Sequence, residues 1–207
     1  MHAGRHSRAP DRGIGGVSED RGSESGRGSL FARERVTGAV RYFIAGTMQG
    51  ANRGVRIRNQ DYRIQISDIV RRYHPDAECF DPHPAMRSFV RSSRIPLGLG
   101  FARLKTSNGF DEDRASTAVL ELRDKFRELT AEAGRCDLVI AYLPGRVPSM
   151  GSAMEMYSAH LGGATVVSIT KMRENLSVLS TSDVIVPDLR RFDSWLAGGP
   201  NIRRQFN

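Results

Sequence analysis

Residues 136–170 read CDLVIAYLPGRVPSMGSAMEMYSAHLGGATVVSIT. The run from Leu138 to Leu143 is continuous and apolar, as a strand buried on both faces requires. It stops at Pro144-Gly145, where a turn is forced. A helical stretch over 152–161 follows, and its acidic residue, Glu155, stands among Ala153, Met154, Met156 and Ala159. Residues 165–169 form a second apolar run. Strand, loop, helix and strand in this order make a parallel pair with a crossover helix. Ligands of open parallel sheets bind beyond the carboxyl ends of the strands, which is where Glu155 falls.

Working outward, residues 40–45, VRYFIA, are β-branched and aromatic and predict the first strand. Over 59–73, Tyr62, Ile64, Ile66, Ile69, Val70 and Tyr73 recur at helical spacing. Residues 77–80 predict a short strand ended by Asp81-Pro82-His83-Pro84. Residues 84–115 show no sustained period, so they predict an irregular insertion, a lid over the site. Residues 116–133 predict a helix capped by Ser116 or Thr117. Beyond the central unit come a short helix at 175–179, a strand at 184–186 and a last helix at 189–196, closed by Gly198-Gly199-Pro200. Strands alternating with helices imply an α/β fold. We expect a doubly wound, flavodoxin-like, five-stranded parallel sheet with helices on both faces. The domain spans 39–200 with the insertion at 84–115.

Composition bounds the function. The chain has 207 residues and a net charge of +8, which invites a phosphate or nucleic-acid partner. Residues 1–41 hold eight arginines against five acids and so carry +3 of that charge. Residues 1–38 are rich in Gly, Arg and Ser with almost nothing to bury, and predict a disordered tail. These arginines lack the interleaved aromatics on which single strands stack, so nucleic acid is not the expected partner. No run of about 18 apolar residues exists, so no membrane span is expected, and no apolar core of a secretory signal precedes the domain. Cys79 and Cys136 fall in predicted strands and read as buried reduced thiols. A cytoplasmic location is the expectation.

The loop after the first strand, residues 46–54, carries three glycines, a hydroxyl, two amides and Arg53. Glycine lets a backbone approach a ligand closely, and Arg53 offers a fork to two phosphate oxygens. It is neither a dinucleotide fingerprint nor a Walker loop. The second loop, 144–152, runs into the Glu155 helix. Ser149 and Ser152 there can bind an anion with the helix N-terminus, or simply cap the helix. Glu155 lies one turn in, within reach of the same pocket. A carboxylate beside a sugar ring acts as nucleophile or stabilises an oxocarbenium-like state.

FIAGTMQG after a strand, the Asp137-Leu-Val-Ile-Ala strand and the spacing of Ser149, Gly151 and Glu155 resemble the nucleoside 2-deoxyribosyltransferase family. The likeness is greatest to its 2′-deoxynucleoside 5′-phosphate N-glycosidase branch, and covers about residues 41–170. The resemblance implies cleavage between sugar C1′ and the base of a nucleotide or nucleoside, with Glu155 as nucleophile and Ser149 on the 5′-phosphate. It implies that Gly46, Thr47 and Gly50 hold phosphate or sugar, that Phe43 is the aromatic of the first strand, and that the chain forms a homodimer. The family also places an aspartate upstream of the Asp137 strand. Leu129 occupies that spacing here, and Asp124 is the expected substitute among Asp124, Glu128 and Glu132. Those three acids also read as an exposed stripe. PGRVPSMGSAMEM is similar, less fully, to the loop of cytokinin-type nucleotide phosphoribohydrolases, which cut the same class of bond.

His83 stands at a strand end, where it could touch base or sugar or serve as a cap. His74, His83 and His160 form no metal set with the cysteines, so no metal or cofactor is expected. A catalytically silent nucleotide sensor with the same pocket is the alternative of a different class.

Overall fold

The computed structural model describes residues 39–48 and 60–203. The predicted tail at 1–38 and the greater part of the first glycine-rich loop, Gly50 and Arg53 included, lie outside these residues. Five strands form a single parallel sheet in the order β2-β1-β3-β4-β5. They are β1 (Arg41–Gly46), β2 (Glu78–Phe80), β3 (Leu138–Leu143), β4 (Thr165–Thr170) and β5 (Val184–Val186). This is the flavodoxin-like order expected. The register places Gly46 beside Tyr142 and Leu143 beside Thr170, so these residues share the carboxyl edge of the sheet.

The helices are α1 (Tyr62–Tyr73), α2 (Pro82–Ser92), α3 (Arg94–Thr106), α4 (Thr117–Ala133), α5 (Met150–Leu161), α6 (Leu176–Thr181) and α7 (Leu189–Ala197). Alternation along β1 sorts them into two layers, because successive side chains leave opposite faces. Tyr42 and Ile44 pack with Ile66 and Val70 of α1 and with Phe192 and Leu196 of α7. Phe43 and Ala45 pack on the other face with Ala133 of α4, Met156 and Ala159 of α5 and Val178 of α6. Every residue of β4 is buried, as covering both faces demands. No helix among the described residues is long and apolar enough to cross a membrane.

Residues 84–115 correct the expectation of a loop: most of them are helical. Asp81 caps α2, its carboxylate accepting from the His83 N–H at 2.9 Å, with Pro82 in the first position. Asp-Pro thus ends a strand and opens a helix in one step. Pro96 sits in the first turn of α3, where its missing N–H has no helical partner to lose. Leu97 and Gly100 are buried, and Gly100 lies where a side chain would strike Ser116 and Val119 at the start of α4. Two glycines and a proline erased the amphipathic signal of α3, while tertiary packing kept the helix. A second, smaller correction concerns Cys136, which is buried but precedes β3 rather than lying in it.

Candidate active site

At the carboxyl edge the end of β1, the starts of α1 and α2 and the first turns of α5 come together around Glu155. Ser149 caps α5: its hydroxyl accepts from the Ser152 N–H at 3.3 Å and from the Ser152 hydroxyl at 3.0 Å. Six residues on, Glu155 lies on the inward face of α5 with Ser152, Met156 and Ala159 and is only 2% exposed. Burial pushes its carboxyl up to about 8, opposed by the Arg63 guanidinium and a Gly46 backbone hydrogen bond and reinforced by Asp81. Among the described residues, Glu155 Oε2 is buried with no hydrogen-bond partner. An orphan buried oxygen of this kind costs about 1–3 kcal/mol unless a ligand or water meets it.

Arg63 is the cation of the site. Its Nη1 donates to the Ile44 carbonyl and to Asp81 Oδ1, both at 2.7 Å, Nε donates to Gln60 Oε1 at 2.7 Å, and Nη2 reaches the Gly46 carbonyl at 3.4 Å. Gln60 in turn donates to the Thr47 carbonyl at 3.1 Å, and the Tyr62 hydroxyl donates to Gln60 Oε1 at 3.1 Å. One network therefore closes the base of the loop between Thr47 and Gln60. The Tyr62 ring stacks on Tyr142 with centroids 4.5 Å apart and lies 5.2 Å from the Arg63 guanidinium. A side chain at Gly46 would collide with the Tyr62 hydroxyl, which is why glycine ends β1. Burial, reinforced by the nearby Glu155 charge, raises the Tyr62 hydroxyl to about 12, so it stays a neutral donor.

The structure brings Gly46, Thr47, His83, Ser149, Ser152 and Glu155 to this edge of the sheet. His83, half-buried in the first turn of α2, has its imidazole pushed below the usual value by burial and by Arg63, partly countered by Asp81. Two expected residues, Asp124 and Phe43, stand elsewhere. Asp124 is 64% exposed in its side chain and pairs with Arg127 at 3.2 Å and Arg123 at 3.6 Å on the outer face of α4. The acid acting on Glu155 is Asp81. Phe43 is wholly buried in the core, stacked on Phe80 with centroids 5.5 Å apart, and so presents no ring to a ligand. Gly151, in the first turn of α5, also gives room to Phe126 of α4, whose ring would lie 3.3 Å from an added Cβ. A separate surface cleft between α3 and α4, lined by Leu104, Phe110 and Ser116, shares no residue with the Glu155 cluster.

Arg63, Asp81, Gln60, Tyr62 and Tyr142 escaped the sequence reading as site residues. Arg63 carried a usable signal. It stands three residues before Ile66 and seven before Val70, on the buried stripe of α1. A charge at such a position needs partners, and partners mark a site. Asp81 carried one too, since Asp-Pro after a strand is a helix start.

No family model matches the chain, and no curated protein matches it by sequence. Solved structures give likenesses at low identity. The 2-deoxyribosyltransferase of Bacillus psychrosaccharolyticus is 14% identical with a TM-score of 0.44, covering 76% of this chain and 96% of its own. A conserved protein of Enterococcus faecalis V583 is 14% identical with a TM-score of 0.44, covering 79% and 100%. The CMP N-glycosidase BcmB of Clostridium botulinum is 16% identical with a TM-score of 0.36, covering 77% and 99%.

Proposed function

We propose that the protein cleaves, or transfers to an acceptor, the N-glycosidic bond of a nucleoside 5′-monophosphate or nucleoside. One observation carries the reading. A carboxylate with an unpartnered oxygen is buried at the carboxyl edge of a parallel sheet, beside an arginine, a second carboxylate and stacked tyrosines. In this reading a Glu155 oxygen bonds to C1′ while the C1′–N bond breaks, and the base departs with the bonding pair and takes up a proton. Water, or a second base, then displaces Glu155 from C1′. Asp81 takes the role first expected of Asp124, orienting sugar and base. Ser149 keeps its hydroxyl proton to donate to a 5′-phosphate at the α5 N-terminus. Gly46 and Thr47, with Gly50 and Arg53 of the adjoining loop, complete the phosphate and sugar contacts, and Tyr142 faces the base.

We also propose that two copies pair through α5 and α6. Met150, Met154, Tyr157 and Leu161 are exposed at helical spacing on the side of α5 away from Glu155, and Leu176 and Leu179 are exposed on the neighbouring α6.

The test is incubation with ribo- and deoxyribonucleosides and their 5′-monophosphates, reading free base by chromatography, with Glu155→Gln in parallel. Base release by the native chain and its loss in the variant supports the proposal. Release that survives the variant removes Glu155 from the mechanism, and binding without any release makes the chain a nucleotide sensor.

A further inference from the structure

We infer that Arg63 is a positioning residue that holds Asp81 and the end of β1 around Glu155 and sets the pH at which Glu155 becomes an anion. The inference rests on the reading of Glu155 as the reacting group and goes beyond it by naming what controls that group. The geometry is specific. Arg63 is 3% exposed, and its guanidinium is spent on the Ile44 and Gly46 carbonyls, Gln60 and Asp81. A guanidinium so engaged is held by the protein and is not a free hand for substrate phosphate. Its bonds tie together β1, α1 and the cap of α2.

Among the described residues, the groups facing Glu155 are few. Tyr62 and Arg63 come from α1, Asp81 precedes α2, and the Gly46 backbone comes from β1. Tyr62 stays neutral through the accessible range. Among the described residues, that leaves one cation and one anion of opposite effect. Without the arginine, the partly buried Asp81 carboxylate would oppose the charge on Glu155 unshielded, as a like charge in one site does. With the arginine present, the Asp81 charge is paired at 2.7 Å and the guanidinium eases the ionisation of Glu155 against the larger effect of burial.

The experiment titrates Glu155 directly, by the carboxyl carbon resonance in chain labelled with 13C-glutamate, assigned by its loss in Glu155→Gln. Arg63→Gln is expected to move the ionisation midpoint upward by about one pH unit or more, and Asp81→Asn to move it downward, since opposite and like charges within reach shift a carboxyl by about that much. Arg63→Lys keeps the charge but loses the fork, and is expected to fall between the native chain and Arg63→Gln. A purely structural role for Arg63 predicts no such opposed pair. Should Arg63→Gln fail to fold, the downward shift in Asp81→Asn and the smaller upward shift in Arg63→Lys carry the test. Midpoints that stay put, or that move in one direction for both charge deletions, overturn the inference. The resonance reports protonation and not base release. A native chain inactive on every nucleoside therefore sinks the glycosidase reading and leaves this one to the midpoints.

Discussion

Arg63 Nη1 lies 2.7 Å from Asp81 Oδ1, and both charges act on the buried carboxylate of Glu155 from opposite signs. A salt bridge in such a place is weak evidence for stability, because desolvation offsets the Coulomb gain. Its worth lies in geometry. It fixes a helix cap, a strand end and a helix start around one titrating group. The functional consequences follow from which member is removed and at what pH.

Replacing Glu155 by Gln is expected to lower base release by about 10³-fold or more, since it removes the carboxylate that bonds to C1′ in the proposed reaction. The same change is expected to leave the circular dichroism spectrum intact. A variant with activity within tenfold of the native chain would show that Glu155 is not the nucleophile.

The native chain's kcat/KM is expected to rise with pH along a limb with midpoint near 8, the value to which burial pushes Glu155. The nucleophile must be ionised, and ionisation increases upward through that midpoint. A limb centred below about 5, near the ordinary carboxyl value, would place the essential ionisation on another group.

Stability carries the same group with its own sign. The folded chain holds the Glu155 proton up to about pH 8, whereas an unfolded chain releases it near 4.3. The stabilisation from the neutral carboxyl is therefore complete below about pH 4 and is lost as pH rises through 8. Glu155→Gln stays neutral throughout. Its Tm advantage over the native chain is expected to widen from pH 5 to pH 8, by an order of a few kcal/mol in unfolding free energy. A Tm difference that is flat across this range would show that Glu155 is not held neutral.

Asp124→Asn is expected to leave activity within about threefold and stability within about 0.5 kcal/mol, because exposed pairs such as Asp124–Arg127 contribute about 0–1 kcal/mol. Asp81→Asn is expected to lower activity far more. Parallel rates of base release decide between them, and a larger loss at Asp124 would return the second acid to α4.

The strand order and the Glu155 helix were legible because each rests on a local pattern: continuous apolar runs for β1, β3 and β4, and the Pro-Gly turn feeding α5. What the sequence hid had physical reasons. Pro96, Gly98 and Gly100 make α3 look like a loop, since its helicity comes from packing Leu97 and Gly100 on α4. The resemblance points to Phe43 as the first-strand aromatic of the site, yet alternation along β1 sends it into the core. Arg63 and Asp81 stand 18 residues apart, and only the fold of β1, α1 and β2 brings them together. Pairs of that kind leave no mark in a linear reading beyond a charge on a buried stripe.

The outer face of α5 makes the last prediction. Met150, Met154, Tyr157 and Leu161 follow the i, i+4, i+7, i+11 spacing of one helix side, and all are exposed. Apart from buried Glu155 and exposed His160, α5 and α6 carry no acidic or basic residue, in a chain whose net charge is +8. Two such chains repel across most of their surface, and this uncharged face is where they can meet without opposing like charges. A helix of 12 residues is about 18 Å long, and α6 beside it widens this apolar face into the centre of an interface. The full chain is therefore expected to sediment as a dimer. The double change Met154→Glu and Tyr157→Lys, at two exposed positions, is expected to give a folded monomer by raising the dissociation constant at least about 100-fold, a loss of roughly 2.7 kcal/mol. Analytical ultracentrifugation across micromolar concentrations measures both. A native chain that is monomeric at the highest concentration, or a dimer that survives the double change, would assign this face to another partner.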